Sequence, residues 1–549
     1  MNSNKDNSKL NNFLVQGGIL AMAGIFVRIL GLAKRIPLPY IIGDVGSSYY
    51  SAAYEIYNIV YVVSAYGIPL SVSKLVSAKI SKGEYRNADK IFKSALLVAV
   101  IIGLFTSSFV FIFSDFLSRL LHEPMSFMAV RTLAPLLFIV SVMGVFRGFF
   151  QGMGTMIPTA ISQLIEQIVV ISVGLICAYF FGRYGEKVGM ILHNENYKYA
   201  YGAAGATLGC TVGSLVGLIF LILVYKSNQK SFSKKIYRDP SHKVDSTGYV
   251  IKTFLLTVLP VILSNFVNYV SNIIDMGIHN AFMEKKNLYD IKSVNWGIYS
   301  GKYLVLINIP VAISAAMGAS SVPTISSLMK RKEIDEVKIK IEKVIRVTMM
   351  ISIPCAAGLF ALAPSLMYLL FSTTNPISYN LLRIGAVGVI TFSFMTLTTG
   401  ILQGMSKLSK PIIHGLIALA LHVTLLIILL NFTNLNIYAV ALSNNFFSLF
   451  IGLMNITSIC KIINYKQESK RTFILPAISS IVMGVAIYFI DKLFTKSGPN
   501  KILTFVSIIV GGAIYFVIML LTKAIKKDEI LMLPFGKKIY SILNRLHLI

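Results

Sequence analysis

The chain has 549 residues, of which 55% are hydrophobic and only 13% charged. A soluble globular protein of this length needs far more polar surface, so a soluble enzyme or binding domain is excluded. The net charge of +28 marks loops facing anionic lipid rather than nucleic-acid binding.

Apolar runs of about 20 residues recur along the chain, each long enough to cross a bilayer as a helix. Spans are expected at 12–33, 48–73, 91–113, 128–150, 156–181, 202–225, 250–276, 295–320, 345–371, 379–403, 411–431, 438–460, 473–490 and 502–523. The expected fold class is an all-α polytopic membrane protein of about 14 transmembrane helices. The first run is too long for a signal-peptide core and no small-residue cleavage site follows it, so it reads as a retained helix.

That first run closes on "VRILGLAKR" (27–35), which carries Arg28, Lys34 and Arg35 with no acid within eight residues on either side. Arg28 and Arg35 share one helix face, about 10 Å apart along the axis, before "PLP" (37–39) stops the helix. By the loop charges below, Lys34 and Arg35 fall near the outer surface, where snorkelling to headgroups competes with lining a cavity. Arg28 lies deeper. The second span sets Tyr50, Tyr54, Tyr57 and Tyr61 at helical spacing, with Glu55 and Asn58 on adjoining faces. Such a stripe suits packing or an interface belt, and equally a cavity that stacks sugars. Polar stripes follow in the fifth span (Thr159, Gln163, Glu166, Gln167) and the seventh (Asn265, Asn268, Asn272, Asp275). Both would be costly toward lipid, so they either line a cavity or hydrogen-bond between helices. Lys302 stands inside the eighth apolar span with no acid at i±3 or i±4. Arg147, ending the fourth span, reads as a cytoplasmic snorkeller. Cys177, Cys210, Cys355 and Cys460 are scattered without metal-ligand spacing, and no cofactor or metal is expected.

Alternate loops differ in charge. One set holds Lys79, Lys82, Arg86, Lys90 and Lys93, then Lys226, Lys230, Lys234, Lys235 and Arg238, then Lys330–Lys332, Lys407 and Lys410, and Lys461–Arg471. The other set, "LHEPMS", "FSTTNPIS" and "NFTNLNI", is nearly free of cations. The positive-inside rule puts the basic set and both termini in the cytoplasm of a multi-pass plasma-membrane protein.

The chain also repeats itself. "GFFQGMGTMIP" (148–158) matches "GILQGMSKLSKP" (400–411), and "YGIPLSVSKLVSAKISKGE" (66–84) matches "INIPVAISAAMGASSVPTISSLMKRKE" (307–333). Both offsets are about 250 residues, which implies a parallel duplication of six-helix lobes around a central cavity. The expected organisation is a cytoplasmic tail 1–11, an N-terminal lobe 12–226, a cytoplasmic linker 227–249, a C-terminal lobe 250–460, spans 13–14 within 461–525, and an interfacial basic tail 526–549. Arg28 in one lobe and Lys302 in the other, facing one cleft, would form an anion site lacking its counter-ion, suited to a diphosphate.

"VRILGLAKR", "YGIPLSVSKLVSAKISKGEYRNADKIFKSAL" and "RGFFQGMGTMIPTAISQLIEQIV", with the terminal "LPFGKKIYSIL", resemble the bacterial polysaccharide-biosynthesis flippases of the MOP (MATE-like) superfamily. The likeness is to the branch containing the lipid II flippases of MurJ and YtgP type and the sporulation protein SpoVB, and it covers nearly the whole chain. It implies alternating access that carries lipid-linked peptidoglycan precursor from the inner to the outer leaflet. It also implies a lipid-tail groove at spans 13–14 and dealings with the cell-wall synthesis machinery. Cationic cavity positions of the family match Arg28, Lys34 and Lys302, with Arg35 beside them. At two of these the chain has lysine where better-known members have arginine, keeping the charge without the bidentate fork. Asp44 is shifted from a family acid, so a coupling ion, Na+ or H+, is not carried over. A MATE-like multidrug or cation antiporter is the alternative, using Glu55, Glu166 and Asp275. A polyprenyl-phosphate transferase would need acid clusters that the loops lack.

Overall fold

The computed structural model describes residues 24, 26–27, 30–237, 239, 244–494, 500–522 and 524, apart from the side chains of 260–261, 263–265, 267–268, 290, 319–320 and 494. Arg28, most of the first expected span and the segments 1–11 and 526–549 lie outside the described residues. The chain divides between Gly301 and Lys302 into two compact units.

The first unit contains α1 (Leu38–Ser64), α2 (Ile68–Ile80), α3 (Tyr85–Ile112), α4 (Ser114–Leu120), α5 (Phe127–Gly152), α6 (Ile157–Leu192), α7 (Asn196–Tyr237), α8 (Thr247–Lys285) and α9 (Tyr289–Ile298). Pro37 precedes α1, and Gly43 (φ 68°, ψ −178°) breaks it after its first turn, a backbone state open essentially only to glycine. The core joins Val72, Val76, Phe92, Phe146, Phe149 and Leu221. α6 and α7 pack closest at Gly209, where an added Cβ would stand 2.2 Å from Gly174 Cα. These two helices are long, at 36 and 42 residues. Their shared turn exposes Met190 (70%), Ile191 (77%) and Leu192 (53%).

A π-helical turn, Tyr299–Tyr303, leads into the second unit. That unit holds α10 (Leu304–Lys330), α11 (Ile334–Ala361), α12 (Ala363–Phe371), α13 (Pro376–Gly385), α14 (Gly388–Gly404), α15 (Ser409–Phe432), α16 (Ile437–Ile463), α17 (Leu475–Phe494) and α18 (Lys501–Leu521). Ile325, Ile341, Ile345, Leu397 and Ile401 form its core. Hydroxyls link its helices: Ser314 donates to Ser393 (2.9 Å) and Ser448 to Thr391 (2.7 Å), satisfying polar groups away from water.

Among the described residues eleven helices are long and apolar enough to cross a membrane, or twelve if the bent pair α13–α14 is one span. The count of fourteen is therefore not reached within them. The first expected span lies largely outside, and the asparagine-bearing seventh forms a single 39-residue helix, α8, several of whose side chains between 260 and 268 lie outside the described residues. The expected span 345–371 breaks at Leu362 into α11 and α12. That at 379–403 bends by 45° between Gly385 and Gly388.

The repeat is visible in the turns of each unit. After α5, Gly154 takes φ +80°, and the N–H groups of Met153, Gly154 and Thr155 bond to the carbonyls of Phe149, Gln151 and Phe150. After α14, Ser406 takes φ +59°, and Met405, Ser406 and Lys407 bond to Ile401, Gln403 and Leu402. The turn at Gly83 (φ +80°) is likewise repeated at Lys332 (φ +61°), each followed by a glutamate whose N–H caps the preceding helix.

Candidate functional site

Lys34 lies in the last turn of a short helical run just before α1. Its side chain is 3% exposed and passes inward between α1, α6 and α7 rather than out to headgroups. The ammonium donates to Tyr50 Oη (3.2 Å), Ala206 O (3.0 Å) and Cys210 Sγ (3.1 Å), and lies 5.0 Å from the Tyr50 ring centre. All three acceptors are formally neutral. Gly174 lines the slot: a Cβ there would stand 3.2 Å from Lys34 Cε, a tight contact for the lysine stem.

Cys210 links Lys34 to a cavity of about 250 Å³ in the same unit. Its Sγ also meets Tyr54 Oη at 2.9 Å. Tyr54, Tyr57 and Tyr61 of α1, Arg147 of α5, Glu166 and Gln167 of α6, and Ser214 of α7 line it. The tyrosines form a ladder, with Tyr57 stacked on Tyr61 at 5.5 Å between centroids. Arg147 does not snorkel. Its Nη2 donates to Glu166 Oε2 (2.7 Å) and its Nε to Ser162 Oγ (3.1 Å). Ser214 Oγ donates to the other Glu166 oxygen. Arg147 reads as a span-end residue because its partner lies 19 positions away on another helix. Cys210 and Ser214, one turn apart on glycine-rich α7, gave no signal beyond that spacing.

Glu55 is half-buried on α1, within electrostatic reach of Asp275 on α8 and of exposed Arg35. Asp275 is 1% exposed. Asn272 is exposed, and the Asn268 side chain lies outside the described residues. Asn58 and Gln163 are half-buried on α1 and α6, and Gln163 is not among the residues lining the cavity. Lys302, buried in the π-helical turn, belongs to the second unit.

A further charged cluster was not anticipated. At the end of the first unit that carries the 121–126 loop, Glu284 Oε2 meets His122 Nδ1 at 2.5 Å and Glu284 Oε1 accepts from Lys292 Nζ at 2.8 Å. Lys292 also donates to the His122 carbonyl. Glu123, almost fully buried, accepts from Ser48 of α1 (2.9 Å) and Ser293 of α9 (2.8 Å). The cluster fastens α9 and the end of α8 to the 121–126 loop and α1. Burial pushes the Glu123 carboxyl up. Burial would also raise Glu284, but its bonds to Lys292 and His122 outweigh it and hold that carboxyl below the usual range.

In the second unit α11, α13 and α17 border an apolar groove of about 550 Å³. Phe360, Ile481, Val485 and Phe489 line it, with Arg383, Ser480 and Tyr488 as its polar members.

The profile of the polysaccharide biosynthesis protein family matches residues 14–329, more than half of the chain. The chain belongs to the polysaccharide biosynthesis protein family. Within it, the chain is similar to stage V sporulation protein B of Bacillus subtilis (strain 168), at 24% identity over 82% of this chain and 84% of that protein. It is also similar to the lipid II flippase MurJ of the same organism, at 23% identity over 88% of this chain and 89% of the relative. Among solved structures, an inward closed lipid II flippase MurJ superposes with TM-score 0.65 at 15% identity, covering 92% of this chain and 98% of that one. An inward-facing MATE family multidrug transporter of the MOP superfamily gives 0.64 at 15% identity, over 80% and 98%. The fold is thus similar to that of the MurJ and MATE family structures, in a multi-pass membrane protein.

Proposed function

We propose that the protein moves an undecaprenyl-diphosphate-linked peptidoglycan precursor (lipid II), or a related lipid-linked oligosaccharide, from the inner to the outer leaflet by alternating access. Two duplicated lobes would close in turn on either side of the substrate, with both termini in the cytoplasm. The observation that carries this reading is Lys34, a buried ammonium that among the described residues is held by neutral groups alone. No carboxylate there balances its charge, so an anionic headgroup that displaced one of the three neutral acceptors would gain the ion pair the protein itself does not make. Arg28, Arg35 and Lys302 would complete the cationic set. The apolar groove of the second unit, with Arg383 on its lining, supports a substrate that has a long hydrocarbon tail. The similarity to MurJ supports the same class.

The test is translocation in reconstituted vesicles, scored by how much labelled lipid II becomes reachable to an external reagent. Lys34→Ala and Lys302→Ala should each lower the rate at least tenfold while the protein still inserts. Full activity in both would remove the cationic site from the mechanism.

A second reading, a cation antiporter, is favoured by the proximity of Glu55 to Asp275 and by the MATE-like fold. Efflux of a cationic dye, lost in Asp275→Asn, would select it.

A further inference from the structure

We propose that the tyrosine-walled cavity of the first unit holds one neutral sugar ring of the carried lipid. This rests on the flippase reading and adds to it a subsite for the glycan, separate from the diphosphate. The lining carries no uncompensated charge to attract an ion, because its one cation and one anion are already partnered. Bonded to each other at 2.7 Å, the pair is neutral in sum yet rich in planar donors and acceptors. That is what a polyhydroxylated ring requires, since each of its hydroxyls both donates and accepts.

The remaining wall agrees. Among the described residues, the Tyr57 and Tyr61 hydroxyls and the Gln167 amide line the cavity without a hydrogen-bond partner. Three phenol rings, with Met143 and Pro69, offer apolar surface to the C–H faces of a pyranose. The volume, about 250 Å³, lies just below the range of drug-sized sites, which suits a single ring. Lys34 reaches the rim of this cavity through Cys210 and Tyr54. A diphosphate held by the ammonium would therefore leave its first sugar facing the tyrosines.

The experiment compares the affinity of purified protein in nanodiscs for three probes: a short-chain prenyl diphosphate, the same diphosphate carrying one N-acetylhexosamine, and the matching prenyl alcohol. The sugar should improve binding at least tenfold. In Tyr57→Phe/Tyr61→Phe and in Gln167→Ala that gain should fall to near one, with the bare diphosphate bound as before, which also shows that the variants are folded. A sugar gain that persists in both variants, or no gain in the parent protein, overturns the subsite. The flippase reading fails separately, if the bare diphosphate binds no better than the alcohol.

Discussion

Lys34 and the glycines around it are where single side chains decide most. Lys34→Arg keeps the charge, but a guanidinium is larger than the slot over Gly174. We expect it to restore only part of the transport lost in Lys34→Ala, and Gly174→Ala to mimic that loss by displacing the lysine stem. Gly43→Ala must hold a φ of 68° that L-residues avoid, so it should cost about 1–3 kcal/mol, read as a fall in thermal midpoint in detergent. Lys332 and Ser406 occupy the same left-handed state as Gly83 and Gly154. Replacing Lys332 or Ser406 with glycine should be neutral or stabilising, whereas Gly83→Ala should destabilise by about 1 kcal/mol.

Between elements, the end cluster that ties α9 to α1 makes a pH prediction. Glu123 has a raised folded-state value, so the folded form binds its proton more tightly than the unfolded chain does. Its contribution therefore strengthens as pH falls toward the ordinary carboxylate range. Glu284 has a lowered value, so its contribution is present above that range and lost on further acidification. Thermal stability should peak on the acid side of neutrality. Glu123→Gln should remove the neutral arm of that profile and raise the thermal midpoint at pH 8. An unchanged profile in this variant would mean that Glu123 does not set it. Glu284→Gln should instead weaken the protein at neutral pH, because Lys292 and His122 lose their shared partner.

For the whole molecule, fold class, the alternation of spans and the internal repeat were legible in the sequence. Hydrocarbon thickness fixes the length of apolar runs, and a repeated turn such as Q-G-M reuses one backbone solution. The breaks at Leu362 and between Gly385 and Gly388 were not, because an apolar run reads the same whether straight or bent. In the site, the tyrosine ladder and Glu166 were recognisable from helical spacing. The partnership of Arg147 with Glu166, the neutral cradle of Lys34 and the Glu123–Glu284 cluster depend on bonds between different helices and loops, up to 176 positions apart, and no local pattern records such distances. A cysteine at exposed position 82 should react only from the cytoplasmic side of sealed vesicles, and one at exposed position 124 only from the other side, if the basic loops are cytoplasmic. The inverse pattern would reverse that orientation.

The α6–α7 hairpin has a consequence of its own. At 1.5 Å per residue its arms measure about 54 and 63 Å, against a hydrocarbon slab of roughly 30 Å. Both cannot be accommodated by tilting, so part of the pair must stand in water. A nitroxide at position 191 should then be quenched by a polar nickel chelate, and one at position 176, four turns back along α6, by dissolved oxygen. The hairpin thereby serves as a built-in dipstick for where this protein floats in its bilayer.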